Sequence, residues 1–231
     1  MDVVIFGANG PTGRLATGAA LAAGHSVRVV TRHPGTFPDL AGDLRVIAGD
    51  VFDPAAVEAA VVASDAVISA LGVPFARDPI SVYSVGIDHI VEAMGRQGVK
   101  RLIAVSSSTM EPDPDQEGGI VFRKVLQPYV VGTLGRTLYD DMRRMEARLR
   151  ESDLDWTVVR PSGLFHAGEV TSYRVAERHL PGRFTAREDL ADLLVRELDD
   201  SDHVRRAIAV TTVDRSPSMV QLIWREGIRK R

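Results

Sequence analysis

The chain has 231 residues, 45% of them hydrophobic and 26% charged, and its 28 basic against 31 acidic side chains leave a net charge of −3. This is the composition of a globular chain built as one large domain, and the slight acidic balance argues against a dedicated nucleic-acid binder. There is no cysteine, which excludes disulfides, thiolate nucleophiles, zinc–thiolate sites and cysteine-ligated clusters. Lysine occurs only at Lys100, Lys124 and Lys230, so few places can host lysine chemistry. Met1 leads straight into Asp2-Val3-Val4-Ile5-Phe6, so no leader is expected before the fold, and no apolar run has membrane-spanning length. The expectation is a cytoplasmic protein without a membrane partner.

Short β-branched runs alternate with longer helical patterns. Strands are predicted at Asp2–Phe6, 27–31, Leu44–Ala48, Ala66–Ser69 and 102–105. A helix over 12–23 ends before Gly24, a favoured C′ residue. One over 54–62 has Asp53 as N-cap and Pro54 at N1, and another covers Val82–Gln97. This alternation predicts an α/β fold with a doubly wound parallel sheet.

After the fifth strand the rhythm loosens into an acidic, proline- and glycine-rich loop over 111–119, then helices at 120–131 and 137–151. A sixth strand is expected at 156–160, a hairpin-like region around 170–176, and a late strand at Arg206–Thr212. A helix over 187–198 carries Thr185 as N-cap and Glu188 as its capping-box partner. No linker divides the chain, so 1–231 reads as one domain with a small C-terminal substrate-binding portion.

Directly after the first strand stands Gly7-Ala8-Asn9-Gly10-Pro11-Thr12-Gly13-Arg14. A glycine loop between a strand and a helix permits a tight turn and brings backbone N–H groups and the positive helix end to a pyrophosphate, the signature of a Rossmann-like dinucleotide site. Thr12 either adds a hydroxyl to a phosphate oxygen or caps the helix. At the end of the second strand, Thr31-Arg32-His33 lacks the acid that binds the ribose diol of NAD. Arg32, assisted by Arg14, instead suits a 2′-phosphate, so the expected cofactor is NADP. Asp50 and Val51 after the third strand suit the adenine, and Ala70, Leu71 and Gly72 after the fourth lie where the ribose and pyrophosphate pass.

With these residues placed, the chain resembles the atypical short-chain dehydrogenase/reductases, particularly the biliverdin reductase B and NADPH-flavin reductase branch, with NmrA-like proteins as relatives. The resemblance extends through Ser106-Ser107-Ser108, 140–146 (DDMRRME) and 154–161 (LDWTVVRP). It implies Ser106 at the cofactor, Ser107 near the nicotinamide and the hydride acceptor, and an acceptor pocket formed by about 108–136 and 162–185. The Tyr-x-x-x-Lys pair of the wider superfamily is missing: Arg143 follows Tyr139 at i+4, the nearest approximation, so Tyr139 is a weak catalytic candidate beside its reading as a packed helix residue. The histidine that the biliverdin-reducing branch carries after the strand-six proline is also absent, with Ser162-Gly163-Leu164 in that place.

The resemblance points to an NADPH-dependent oxidoreductase passing hydride to a flavin (FMN or FAD as substrate), a quinone or another conjugated small molecule. A non-catalytic NADP(H)-sensing regulator and a sugar-nucleotide epimerase or dehydratase are the alternatives. The six histidines show no compact metal-ligand spacing, so no metal is expected. Asp140 and Asp141 read as solvated or capping residues of a helix start, and oligomeric state stays open.

Overall fold

The computed structural model describes residues 1–76, 78–110, 135–177, 180–182 and 184–213. The predicted loop at 111–119, the helix at 120–131 and most of the first acceptor segment lie outside them. In chain order the elements are β1 (Asp2–Phe6), α1 (Pro11–Ala22), β2 (Ser26–Thr31), β3 (Leu44–Ala48), α2 (Pro54–Val61), β4 (Ala66–Ser69), α3 (Val82–Gln97) and β5 (Arg101–Val105). There follow α4 (Arg136–Arg150), β6 (Asp155–Pro161), β7 (Gly163–Phe165), β8 (Tyr173–Ala176), β9 (Phe184–Ala186), α5 (Arg187–Arg196) and β10 (Arg206–Thr212). The main sheet has the order β3-β2-β1-β4-β5-β6-β10-β8; β8 alone runs antiparallel, and β7 pairs with β9 in a separate parallel ribbon.

Side chains alternate across each strand, so the two faces feed two cores. Val4 and Phe6 of β1 join Val67, Leu102 and Val158 beneath α2, α3 and α4, while Val3 and Ile5 join Ile68, Ile103 and Ile208 beneath α1 and α5. Helix α1 buries Gly13, Ala16, Thr17 and Ala20, a stripe of small residues at helical spacing. Its end is a Schellman motif: Gly24 at φ +84 donates to the Leu21 carbonyl and His25 to that of Ala20. Asp53 caps α2 through the N–H groups of Ala55 and Ala56, as expected. Among the described residues no helix is long and apolar enough to cross a membrane.

Three local expectations are corrected. Helix α1 starts at Pro11 with Gly10 as N-cap, one turn position before Thr12. The capping box at α5 does not form. Thr185 belongs to β9, where its hydroxyl donates to the Val210 carbonyl at 2.7 Å and accepts from the Ser162 N–H, and Ala186 takes the N-cap position. Glu188 reaches instead to the N–H groups of Ala167 and Gly168. The hairpin around 170–176 is a single strand, β8, whose partner is β10, because period-two alternation identifies a strand without naming its neighbour.

Candidate nucleotide-binding site

The strand order reverses direction between β1 and β4: the chain builds β2 and β3 on one side and then returns to lay β4 on the other. In open α/β sheets the crevice outside the carboxyl ends of such strands is where ligands bind. Here it is a cleft of about 680 Å³, lined by residues between Phe6 and Val82.

The three glycines of the first loop have different reasons to be glycine. Gly7 sits at φ +74, and a Cβ there would lie 2.3 Å from the Ala70 carbonyl oxygen; at Gly13 a Cβ would lie 2.3 Å from the Gly7 oxygen. Both are demanded by the junction of β1, β4 and α1. Gly10 is at φ −71, its Cβ would meet only the Gly7 oxygen at 3.3 Å, and it lines the cleft. Gly10 therefore keeps the loop open to a ligand. No side chain caps α1, and Pro11 has no N–H, so the N–H groups of Thr12 and Gly13 are the orphans of the first turn. A pyrophosphate fits this set of donors.

Asn9, Gly10, Arg32, Asp50, Val51, Ala70, Leu71 and Gly72 all line this one cleft. Arg32 is exposed at the end of β2 and has no hydrogen bond or ion pair among the described residues. Asp50 folds one carboxylate oxygen onto the Phe52 N–H at 3.0 Å. Gly86 of α3 lets that helix close on the cleft wall, where a Cβ would press on Leu71 and Val51 at 2.8 and 2.9 Å. Arg14 turns to the outside of the loop: its guanidinium binds the Asn9 side chain and the Thr36 carbonyl, and Asn9 donates to Thr36 Oγ1 at 3.0 Å, bracing the glycine loop against the turn after β2.

Ser106 and Ser107 follow β5 outside this lining. The Ser106 hydroxyl is buried and donates to Glu146 at 2.7 Å, while Ser107 shares a 2.9 Å hydrogen bond with Thr109. Tyr139 is 9% exposed in the α4 core, edge-on to Phe75 with ring centroids 6.2 Å apart. Burial pushes its phenol above the usual range, against a weaker opposing hydrogen bond from Thr109. His166 of the second acceptor segment lies 3.3 Å from Glu188.

Two functional features escaped the sequence reading. After β4 the cleft lining continues past Gly72 with the apolar residues Val73, Pro74, Phe75, Pro79 and Ile80, of which Phe75 is 53% exposed. The signal was a proline- and aromatic-rich loop immediately after a strand end. The second is the buried pair Glu146 and Arg160, joined by two hydrogen bonds of 3.0 and 2.6 Å behind Ser106.

The reversed strand order, the glycine loop and the cleft at their junction define a Rossmann-like nucleotide-binding fold. Residues 7–201 match the NAD(P)H-binding family model, and the chain belongs to that family. Among its relatives is a Bacillus subtilis protein named as an uncharacterized sugar epimerase, 28% identical over 223 residues that span 93% of this chain and 95% of the relative. Another is the (4-alkanoyl-5-oxo-2,5-dihydrofuran-3-yl)methyl phosphate reductase of Streptomyces griseus, 26% identical over 220 residues, 90% of this chain and 67% of that one. A short-chain dehydrogenase/reductase of Veillonella parvula, solved in complex with NADP, shares the fold with a TM-score of 0.72 at 21% identity, covering 92% of this chain and 95% of its own.

Proposed function

We propose that this chain is an NADPH-dependent reductase that delivers hydride to a flavin, a quinone or a similarly conjugated small molecule. The carrying observation is the make-up of the cleft lining: it holds Arg32, with no acid at Thr31-Arg32-His33, together with the apolar side chains of Val73, Pro74, Phe75, Pro79 and Ile80. An exposed guanidinium without a partner suits a 2′-phosphate through a charge-assisted fork, and an apolar wall suits a planar acceptor. The named activity of the Streptomyces griseus relative, reduction of an unsaturated lactone phosphate, is of the same chemical kind.

NADPH, when bound, supplies a hydride from the nicotinamide. The chain's residues hold and orient: the N–H groups of Thr12 and Gly13 and the open face at Gly10 take the pyrophosphate, Arg32 the 2′-phosphate, and Asp50 with Val51 the adenine. Ser107, beyond β5, orients the reacting groups. With NADPH bound, the acceptor would gain hydride and one proton. Water would supply that proton, because the sequence has no Tyr-x-x-x-Lys pair: Tyr139 keeps its proton at neutral pH, and Arg143 at i+4 is bound to Asp140 at 2.6 Å. Catalysis then rests on positioning.

The test incubates purified protein with NADPH and, separately, FMN, FAD, quinones, tetrapyrroles and an unsaturated lactone, following loss of reduced-nicotinamide absorbance. Turnover with one of them is expected. Tight NADPH binding with no oxidation by any acceptor would replace this reading with an NADP(H) sensor, and interconversion of a nucleotide sugar would replace it with the epimerase that the Bacillus subtilis relative's name suggests.

A further inference from the structure

At the edge of the sheet opposite the cleft, the end of α5 and the turn into β10 bring Glu197, Asp200 and His203 together, with one ligand atom from each within 4.8 Å of the others. Glu197 is 2% exposed, and its Oε1 lies 2.8 Å from His203 Nδ1. Its second oxygen, Oε2, is buried and accepts no hydrogen bond. A buried carboxylate oxygen without a donor is costly, and native structures rarely leave one without a ligand or partner.

The neighbouring cation fills that role only through space: Arg101 forms an ion pair with Oε2 at 3.6 Å, beyond hydrogen-bond reach among the described residues. Its donors are committed elsewhere: Nε and Nη2 to the Glu197 carbonyl, Nη2 also to the Asp200 carbonyl, and Nη1 to the Asp155 carbonyl and Thr157 Oγ1. Asp200 uses one oxygen to accept the Asp202 N–H, in an Asx turn that leaves the other oxygen open. The His203 backbone is pinned, its carbonyl accepting from Thr157 Oγ1 at 2.9 Å and from the Arg206 N–H at 3.1 Å. Its ring is only 24% exposed, but solvent reaches it.

We infer that Glu197, Asp200 and His203 form a binding site for a divalent transition-metal ion of the zinc type. An imidazole with two carboxylates suits such an ion, and three protein ligands leave a fourth position for water. Two carboxylates against the Arg101 guanidinium leave a net charge of about −1, which still attracts a dication. Donors about 2.0–2.2 Å from a tetrahedral zinc stand roughly 3.4 Å apart, so separations of up to 4.8 Å must close by at most about 1.4 Å, a movement within the side-chain freedom of Asp200 and His203. The spacing Glu-x-x-Asp-x-x-His spans a helix end and a turn, which is why histidine spacing alone does not reveal it. The ion would join the end of α5 to the start of β10, away from the nucleotide cleft.

The test is calorimetric titration of the chelator-treated full chain with zinc ion, alongside its His203→Ala and Asp200→Asn variants. One equivalent bound in the micromolar range or tighter is expected, with binding weakened about 10- to 100-fold in either variant and zinc raising the Tm of the unsubstituted chain alone. Asp200→Asn keeps side-chain shape, so the comparison stands even if His203→Ala fails to fold. No saturable binding below millimolar zinc, or binding that both substitutions leave intact because other histidines hold the ion, would overturn the assignment.

Discussion

Asp141, fully buried on α4, accepts the backbone N–H of Tyr83 at 2.9 Å and so caps α3 from a neighbouring helix. It also binds the Ser84 hydroxyl and Arg144. Ser81, the N-cap residue of α3, contributes no side-chain cap, so Asp141 supplies the acceptor and the negative charge that a helix start favours. Asp141→Ala is expected to cost about 2–3 kcal/mol, combining a lost cap with orphaned buried donors. At roughly 2–4 °C of Tm per kcal/mol for a chain of this size, thermal unfolding resolves the change easily. Asp141→Asn, which retains an acceptor oxygen, should lose less.

The Glu146–Arg160 pair makes a second stability prediction. Glu146 is 3% exposed and receives Arg160, Arg150 and Ser106 at once. Removing one member leaves a charge buried without its partner, a loss of about 3–5 kcal/mol. Glu146→Ala should therefore destabilise far more than the median surface substitution, whereas Glu146→Met combined with Arg160→Met should recover much of the loss. Denaturant midpoints for the three chains decide it; an Glu146→Ala chain as stable as the original would show that the pair is idle.

The glycine loop separates folding from binding. Gly7→Ala and Gly13→Ala place a Cβ against backbone atoms and should prevent the native fold from forming. Gly10→Ala meets one oxygen at 3.3 Å, so it should fold with near-original Tm while losing most NADPH affinity. Fluorescence titration beside circular dichroism distinguishes the two classes, and equal unfolding in all three would erase the difference.

Arg32→Ala should weaken NADPH and spare NADH. A charge-assisted hydrogen bond contributes about 1.5–3 kcal/mol, or roughly 10- to 100-fold in Kd. Equal losses for the two nucleotides would remove the 2′-phosphate role.

A pH prediction concerns Glu188. Burial pushes its carboxyl up, but the N–H groups of Ala167 and Gly168, its own backbone and His166 outweigh this and hold it below the usual range. A carboxyl depressed in the folded state stabilises fully above its unfolded pKa, about 4.3, and that contribution is lost as pH falls through the lower folded value. Acidification below about pH 4 should thus release the 166–168 segment, read as faster amide exchange there. Glu188→Gln should already exchange fast at neutral pH and respond less to acid.

The alternating sheet was legible because period two and period 3.6 dominate the first 105 residues, and Asp53, Gly24 and the glycine loop are local signals whose partners lie within a few residues. Thr185 and Glu188 matched a local pattern just as well and misled, because strand β10 and the 167–168 backbone compete for the same side chains. Asp141 reads in the sequence as a solvated or capping residue of its own helix start, whereas it is buried and caps α3; its partner Tyr83, like Arg160 for Glu146, is brought in by tertiary packing that no local period records. The cleft lining at Asn9, Gly10, Arg32, Asp50, Val51 and Ala70–Gly72 follows strand ends that local periods mark, whereas the apolar lining at Val73, Pro74, Phe75, Pro79 and Ile80 came only with the loop's course.

Among the described residues, those lining the cleft lie between Phe6 and Val82, yet α1, which presents the glycine loop, packs on α5, which ends at Arg196. Chain growth from the ribosome thus delivers the described cleft residues early, but the core that holds Ala16 and Ala20 of α1 also contains Leu190 and Leu194 of α5 and is complete only once those have been made. Support for the glycine loop is in this way tied to synthesis through α5, and a nascent chain halted between Val82 and Arg187 would carry these recognition residues on a helix still lacking that packing.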